Sequence, residues 1–259
     1  MDIVNSYLIG SATVAIYMTL LFILAVILKD NSIADIAWGP GFVLTAIIVM
    51  SYHGAFSAGN ILVTALVAVW GVRLGTRIFR RNAGRGEDWR YRKWRQDWGR
   101  LFYLRSFLQV FMLQGVILLL NAAPVIIANS SPAGRPGVLT WTGTAVWLVG
   151  FIFESVGDVQ LDRFVKNPSN RGKILDTGLW KFTRHPNYFG EVTMWWGIFI
   201  ISLESPLGYI GIIGPAIITI MILFVSGVPM TERAMADDPL FRDYKKRTSV
   251  FIPWFPMKK

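Results

Sequence analysis

The chain has 259 residues, 53% of them hydrophobic and 16% charged, with a mean hydropathy of +0.46 and a net charge of +10. Soluble domains are about 45–50% apolar and about 25% charged, so this composition describes a membrane protein. The absence of cysteine excludes disulfides, thiolate metal ligands and a cysteine nucleophile, and two histidines are too few for a histidine-based metal site, so no metal is expected.

The first apolar run, Tyr7 to Leu28, is long enough to cross a bilayer and lacks the basic start and small-residue cleavage site of a signal peptide. It reads as a retained helix. At about 20 apolar residues per crossing, further spans are expected at 33–52, 61–79, 104–127, 139–160, 187–204 and 207–229. Such runs far exceed the ~9–11 residues of a barrel strand. The expectation is an all-α polytopic membrane protein with seven transmembrane helices, forming a single integral membrane domain over 1–259 without internal repeat or linker.

The basic residues sort by side. The connection from Arg77 to Arg105, the 5-to-6 connection (Arg163 to Arg184) and the tail from Arg233 onward hold nearly all of them, whereas the 2-to-3 and 6-to-7 turns hold none and the 4-to-5 turn only Arg135. The positive-inside rule then puts the N-terminus outside and the C-terminus in the cytoplasm. The charge is mostly topology, and the partner it implies is the lipid bilayer, not nucleic acid. Within the first basic connection, EDWRYRKWRQDWG (87–99) interleaves Trp89, Tyr91, Trp94 and Trp98 with cations, the pattern of a helix lying in the cytoplasmic interface.

Polar groups within spans are costly and therefore informative. Asp35 lies early in span 2, Arg73 late in span 3, Gln109 and Gln114 in span 4, and Glu154, Asp158 and Gln160 late in span 5. Glu154, Asp158 and Asp162 recur every fourth residue and so share a helix face. Three clustered carboxylates repel unless cations face them, and Arg163, Lys173, Arg184 and Arg233 are the expected partners. Two readings stand: a salt-bridged network that fixes packing, or a polar cofactor cleft among spans 5, 6 and 7.

The densest polar cluster is in GLWKFTRHPNYFGEVTMWWG (178–197), where Arg184, His185, Asn187, Tyr188 and Glu191 immediately precede an apolar run. Pro186 suits the first turn of a helix, which places the cluster at a helix N-terminus, a setting that favours an anionic group. Nothing supports a Ser-His-Asp hydrolase, because His53 is expected on the outer side and His185 on the inner side. No glycine-rich nucleotide fingerprint is present.

GLWKFTRHPNYFGE, preceded by GDVQLDRF and followed by FRDYKKRTSVFIPWF, resembles the C-terminal half of the steroid 5-alpha-reductase family, and the whole chain from about Ser32 to Pro256 resembles its bacterial branch known only as a domain of unknown function. The resemblance implies a seven-helix enzyme, of the bacterial inner membrane, that uses NADPH to reduce an enone carbon-carbon double bond in a steroid-like or other lipid. It implies a substrate pocket mainly in spans 1–4 and a cytoplasmic cofactor cleft mainly within 150–250. Carried over by position, that cleft takes Asp158, Asn187, Tyr188, Gly190 and Glu191. Arg73 and Asn82 match the basic segment after span 3. The cations Arg163, Arg184 and Arg233 with His185, and Tyr244 of the tail, complete the expected cofactor set. The reductases polarise the substrate carbonyl with a carboxylate on span 2 and a tyrosine on span 3. The counterparts here are Asp35 and Trp70, whose indole can donate a hydrogen bond but cannot give up a proton like a phenol. Asp35, Trp70 and Arg73 are the resulting catalytic candidates. The same RHPNYFG stretch also resembles isoprenylcysteine carboxyl and phospholipid methyltransferases, which bind S-adenosylmethionine, so methyl transfer is the alternative; a non-enzymatic lipid-binding protein is the third.

Overall fold

The structure, a computed structural model, describes residues 3–130, 132 and 135–257. It is all-α: among the described residues the sole β feature is an isolated parallel bridge between Thr183 and Ser249. Among the described residues six helical runs are long and apolar enough to cross a membrane, namely Ile3–Leu28, Ile33–Tyr52, Ala58–Asn82, Trp89–Asn121, Val138–Lys166 and Gly208–Ala234. The protein is therefore a polytopic membrane protein. The expected crossing at 187–204 is also helical, but as Pro186–Ser202 it has 17 residues, the short end of what a bilayer requires.

The chain forms two compact units, one comprising the residues up to Thr140 with Ile201–Gly214, the other Trp141–Ile200 with the residues from Pro215 onward. The first contains α1 (Ile3–Leu28), α2 (Ile33–Tyr52), α3 (Ala58–Asn82), α4 (Trp89–Trp98), α5 (residues 102–121) and α6 (Ala123–Ala128). Helices α2 and α3 meet through glycines: a Cβ on Gly71 would lie 2.6 Å from the Gly39 carbonyl oxygen. Such close approach is how helices associate in lipid, where apolar burial gives no advantage over lipid tails. At one end Asn129 donates to Thr64 Oγ1 (2.9 Å) and to the Ala46 carbonyl (3.2 Å), and Asn60 donates to the Ala128 carbonyl (2.7 Å), tying α2, α3 and α6 together. The expected span 104–127 is interrupted at Ala122, because Pro124 has no N–H to continue the ladder. An apolar cavity of about 290 Å³ lies between α1 and α5, lined by Val14, Met18, Met112 and Val116 among others.

The second unit is organised by α7 (Val138–Lys166) and α8 (Pro186–Ser202), followed by α9 (residues 213–225), α10 (Val228–Ala234) and α11 (Pro239–Arg247). Gly143, Gly150 and Gly157 recur every seventh residue along α7, so all three lie on one face, and α8 runs down that face. A Cβ on Gly150 would lie 2.6 Å from the Gly190 carbonyl oxygen, and one on Gly197 would lie 2.7 Å from that of Gly143. At the far end Gly157 meets Pro186 and the Asn187 amide, with 3.2 and 3.3 Å to an added Cβ. The glycine ladder thus sets the register that brings the start of α8 beside the carboxylates of α7. Helix α7 also continues past the expected end at 160, as far as Lys166.

Candidate functional site

In the second unit, the α7–α8 register places Asn187 next to Asp158, and the amide Nδ2 donates to Asp158 Oδ1 at 3.3 Å. The Asn187 oxygen accepts from the Tyr188 N–H at 3.0 Å, a bond that helps satisfy the free amides of the helix start. Tyr188 stacks on His185 with ring centroids 5.4 Å apart, and its hydroxyl lies 3.2 Å from Thr231 Oγ1 on α10.

At the centre is Glu232. One carboxylate oxygen meets Arg184 Nε at 2.7 Å and His185 Nε2 at 3.2 Å; the other meets Lys245 Nζ at 2.8 Å. Arg184, only 8% exposed, also donates from Nη1 to the Thr248 carbonyl at 2.6 Å. Facing a carboxylate, Nε2 of His185 must carry the hydrogen, which fixes the tautomer and leaves Nδ1 as an acceptor in the neutral ring. Burial holds the His185 pKa below its ordinary value; Glu232 opposes this and Arg184 reinforces it. Burial also raises the Tyr244 phenol, whose O–H donates to the Trp180 carbonyl. The loop before α8 is fixed from α7, since Trp180 Nε1 donates to the Gly157 carbonyl (3.1 Å) and Gln160 Oε1 accepts from the Leu179 N–H (3.0 Å).

Asp158, Arg184, His185, Asn187 and Tyr188 therefore come together as one polar cluster. Glu154 and Asp158 are buried, each 3% exposed, while Glu191 is half-buried one turn along α8 from Asn187. Tyr244 is buried, whereas Arg163 and Arg233 are exposed. Arg184, expected opposite the α7 carboxylates, is claimed by Glu232, a residue the sequence reading did not single out. The signal was present in VPMTERA: a carboxylate one turn into a short helix that restarts after Gly227, at the end of an apolar run. Lys245 and Thr231 were missed because only the fold brings α11 and α10 to α8.

The first unit holds a second cluster. Asp35, in the first turn of α2, accepts from Arg90 Nη2 at 2.7 Å on one oxygen and from the Tyr91 hydroxyl at 2.8 Å on the other. The neighbouring loop is stitched to the α1–α2 turn: the Asn31 N–H donates to Glu87 (3.0 Å), Arg95 pairs with Glu87 (2.9 Å), and the Asp88 N–H donates to Ser32 Oγ (2.7 Å). Asp88 caps α4; its burial would raise its pKa, but the hydrogen bonds and charge of Arg90 outweigh that and leave it below the ordinary range. Helix α4 is packed inward through Tyr91, which is 2% exposed. Trp70 is equally buried, with its ring edge-on to Phe42 at 5.5 Å. Arg73 is half-buried on α3. Asn82, at the end of α3, has an enclosed Nδ2 without a partner among the described residues. Asp35, Trp70, Arg73 and Asn82 therefore belong to the first unit, and the remaining candidates to the second.

A family model described as a protein of unknown function (DUF1295) matches residues 21–248. An uncharacterised protein of Schizosaccharomyces pombe is 24% identical over 283 aligned positions, covering 96% of this chain and 80% of its own length. The 3-oxo-5-alpha-steroid 4-dehydrogenase 1 of Mus musculus is 32% identical over 114 residues, 44% of this chain and 41% of the enzyme. Methanethiol S-methyltransferase 1 of Bradyrhizobium diazoefficiens is 35% identical over 78 residues, 29% of this chain and 25% of the enzyme. This chain therefore aligns with less than half the length of either enzyme. No solved structure matches the chain at a comparable level.

Proposed function

From the premise that this chain belongs to the DUF1295 family, we propose that it is a membrane-embedded NADPH-dependent reductase of an enone-type carbon-carbon double bond in a steroid-like or other lipid. The observation that carries this reading is the charge distribution of the second unit. Around Glu232 two permanent cations, Arg184 and Lys245, share one carboxylate, and Lys245 is half exposed. A half-exposed lysine suits the phosphates of a dinucleotide, whereas S-adenosylmethionine brings a sulfonium cation of its own. Beside it, Asp158 and Glu191 offer acceptors, and Asn187 and Tyr188 offer donors, for ribose and amide groups. This donor set fits NADPH.

In this reading Asn187 and Tyr188 bind the polar body of the cofactor, and Lys245 with the exposed Arg163 and Arg233 meets its phosphates. Arg184 is a positioning residue, since Glu232 and the Thr248 carbonyl already hold it. When bound, NADPH would supply a hydride. On the acceptor side both oxygens of Asp35 are occupied, so its part would be to hold Arg90 and Tyr91, while Trp70 and Arg73 would shape the pocket. The N-terminus would lie outside and the C-terminus in the cytoplasm of a bacterial inner membrane, which reporter fusions after Arg100 and at the C-terminus would check by giving the same sidedness.

Methyl transfer is the second reading, favoured by the RHPNYFG stretch and by the methyltransferase among the relatives. Thermal-shift measurements with NADPH, NADH and S-adenosylmethionine separate the two, because a ligand that binds only the folded state stabilises it by RT ln(1 + [L]/Kd), about 2.7 kcal/mol at a hundredfold excess. NADPH is expected to stabilise most. Equal stabilisation by NADH removes the phosphate-site argument, and a response to S-adenosylmethionine alone moves the assignment to methyl transfer.

A further inference from the structure

Beyond α11 the chain leaves the helix and runs as a strap over residues 248–257. Pro253 and Pro256 keep it extended and deny it the N–H groups that a strand ladder needs. The strap is firmly pinned. The Ser249 carbonyl accepts from the Arg184 N–H (2.9 Å), the Phe251 carbonyl accepts from Thr183 Oγ1 (2.8 Å), and the Trp254 N–H donates to the Phe182 carbonyl (2.9 Å). Yet its large side chains are mostly exposed: Ile252 is 65% exposed, Trp254 70%, Met257 67% and Phe255 77%, the last with one edge-on contact to Phe182 at 6.1 Å. Such a patch, contiguous in sequence and lying on no spanning helix, marks a surface made to be covered.

Two observations indicate what covers it. Phe251 packs edge-on against Phe189 with centroids 5.7 Å apart, and Phe189 sits in the first turn of α8, where the polar RHPN segment gives way to the apolar run that follows. The strap is therefore level with the point at which α8 becomes apolar. The preceding helix α11 ends in Lys245, Lys246 and Arg247, cations suited to lipid phosphates. Tryptophan and phenylalanine beside cations at that depth are the composition of a membrane-interface anchor.

We propose that residues 250–257 form an interfacial anchor seated at the headgroup–acyl boundary of the bilayer, and that this lipid contact holds the 182–185 segment in place. The inference does not depend on the reaction. Because the main-chain bonds of the strap end on Phe182, Thr183 and Arg184, lipid that seats the strap also steadies the loop that presents Arg184 and His185 to Glu232.

The native chain has no cysteine, so Ile252→Cys and Trp254→Cys each give a single labelling site for an environment-sensitive fluorophore in the full-length protein. In phosphatidylcholine–phosphatidylglycerol nanodiscs, the expected result is a blue-shifted emission, quenched more by lipids with a nitroxide near the top of the acyl chain than by lipids with one at its end. Water-like, unquenched emission overturns the proposal. So does a blue shift that nitroxide lipids leave unquenched, since that means cover by protein or by a second copy. A triple Ile252→Ser, Trp254→Ser, Phe255→Ser variant is expected to lose little Tm in detergent and to gain less Tm than the native chain on transfer to the same nanodiscs. Full retention of the native gain also overturns the proposal. If the triple variant does not fold, the two single-site labels still decide.

Discussion

Each unit buries a carboxylate beneath cations, and the two arrangements differ in how the charges are shared. In the first, Asp35 gives one oxygen to Arg90 and the other to Tyr91, and the surrounding loop is closed by Glu87–Arg95 and Asp88–Ser32 contacts. Arg90 also meets Asp88 at 2.9 Å, so here one cation is shared between two carboxylates. In the second, Glu232 is shared among Arg184, Lys245 and His185. Here several basic groups converge on one carboxylate, and Lys245 stays half exposed, next to donors and acceptors on Asn187, Tyr188 and Asp158. In the first cluster one cation serves two carboxylates, and in the second one carboxylate serves several basic groups.

The sharpest way to break this contrast is Glu232→Gln. It leaves Arg184, whose side chain is 9% exposed, without its counter-charge. Removing one partner of a buried pair costs about 3–5 kcal/mol, so the variant should show the largest fall in apparent Tm of any single change considered. Asp35→Asn should cost less, about 1.5–3 kcal/mol for hydrogen bonds to a charged group, because Arg90, with a side chain 30% exposed, can turn to water or rely on Asp88. If Asp35→Asn proves the more damaging in the same thermal-melt series, the ranking of the two clusters is reversed.

What could be read from the sequence follows the range of the interactions. The apolar runs were legible because hydropathy is local, and the helices lie close to the expected ranges. The 104–127 run carried its own warning in Pro124. The polar cluster at the start of α8 was legible as a cluster, since its members are neighbours in the chain. Its organiser was not: Glu232 lies 48 positions from Arg184, and Tyr91 lies 56 from Asp35. No local pattern reports such pairs. The seven-residue spacing of Gly143, Gly150 and Gly157 was visible and went unread, although it determines which end of α8 meets Asp158. The reductase resemblance directed attention from Asp35 to Trp70, whereas the structure pairs Asp35 with α4.

A smaller effect separates ligand binding from packing within the second cluster. Asn187→Ala removes the amide that reaches Asp158, but alanine is the better helix former. The apo Tm should stay close to the native value while NADPH affinity falls by the worth of one hydrogen bond, about 0.5–1.5 kcal/mol or roughly two- to tenfold. A large loss of apo stability with unchanged affinity would instead make Asn187 a packing residue.

The last expectation concerns His185, whose ordinary pKa of 6.5 lies near neutral pH. Its folded pKa lies below the unfolded value of 6.5, chiefly because the ring is buried, with Arg184 adding to the depression and Glu232 working against it. Below pH 6.5 the unfolded chain therefore binds a proton that the folded chain resists. Stability from this group is fully present above 6.5 and declines as pH falls from there through the depressed folded value. The slope for one proton cannot exceed about 1.4 kcal/mol per pH unit. His185→Gln tests this cleanly, because the glutamine amide can still donate to Glu232 from the Nε2 position but cannot titrate. Apparent Tm measured from pH 8 to pH 5 should fall less steeply for the glutamine variant than for the native chain, with the two curves parallel above 6.5. Parallel curves over the whole range would show that protonation of His185 is not resisted, and that burial of the ring is offset by its contact with Glu232.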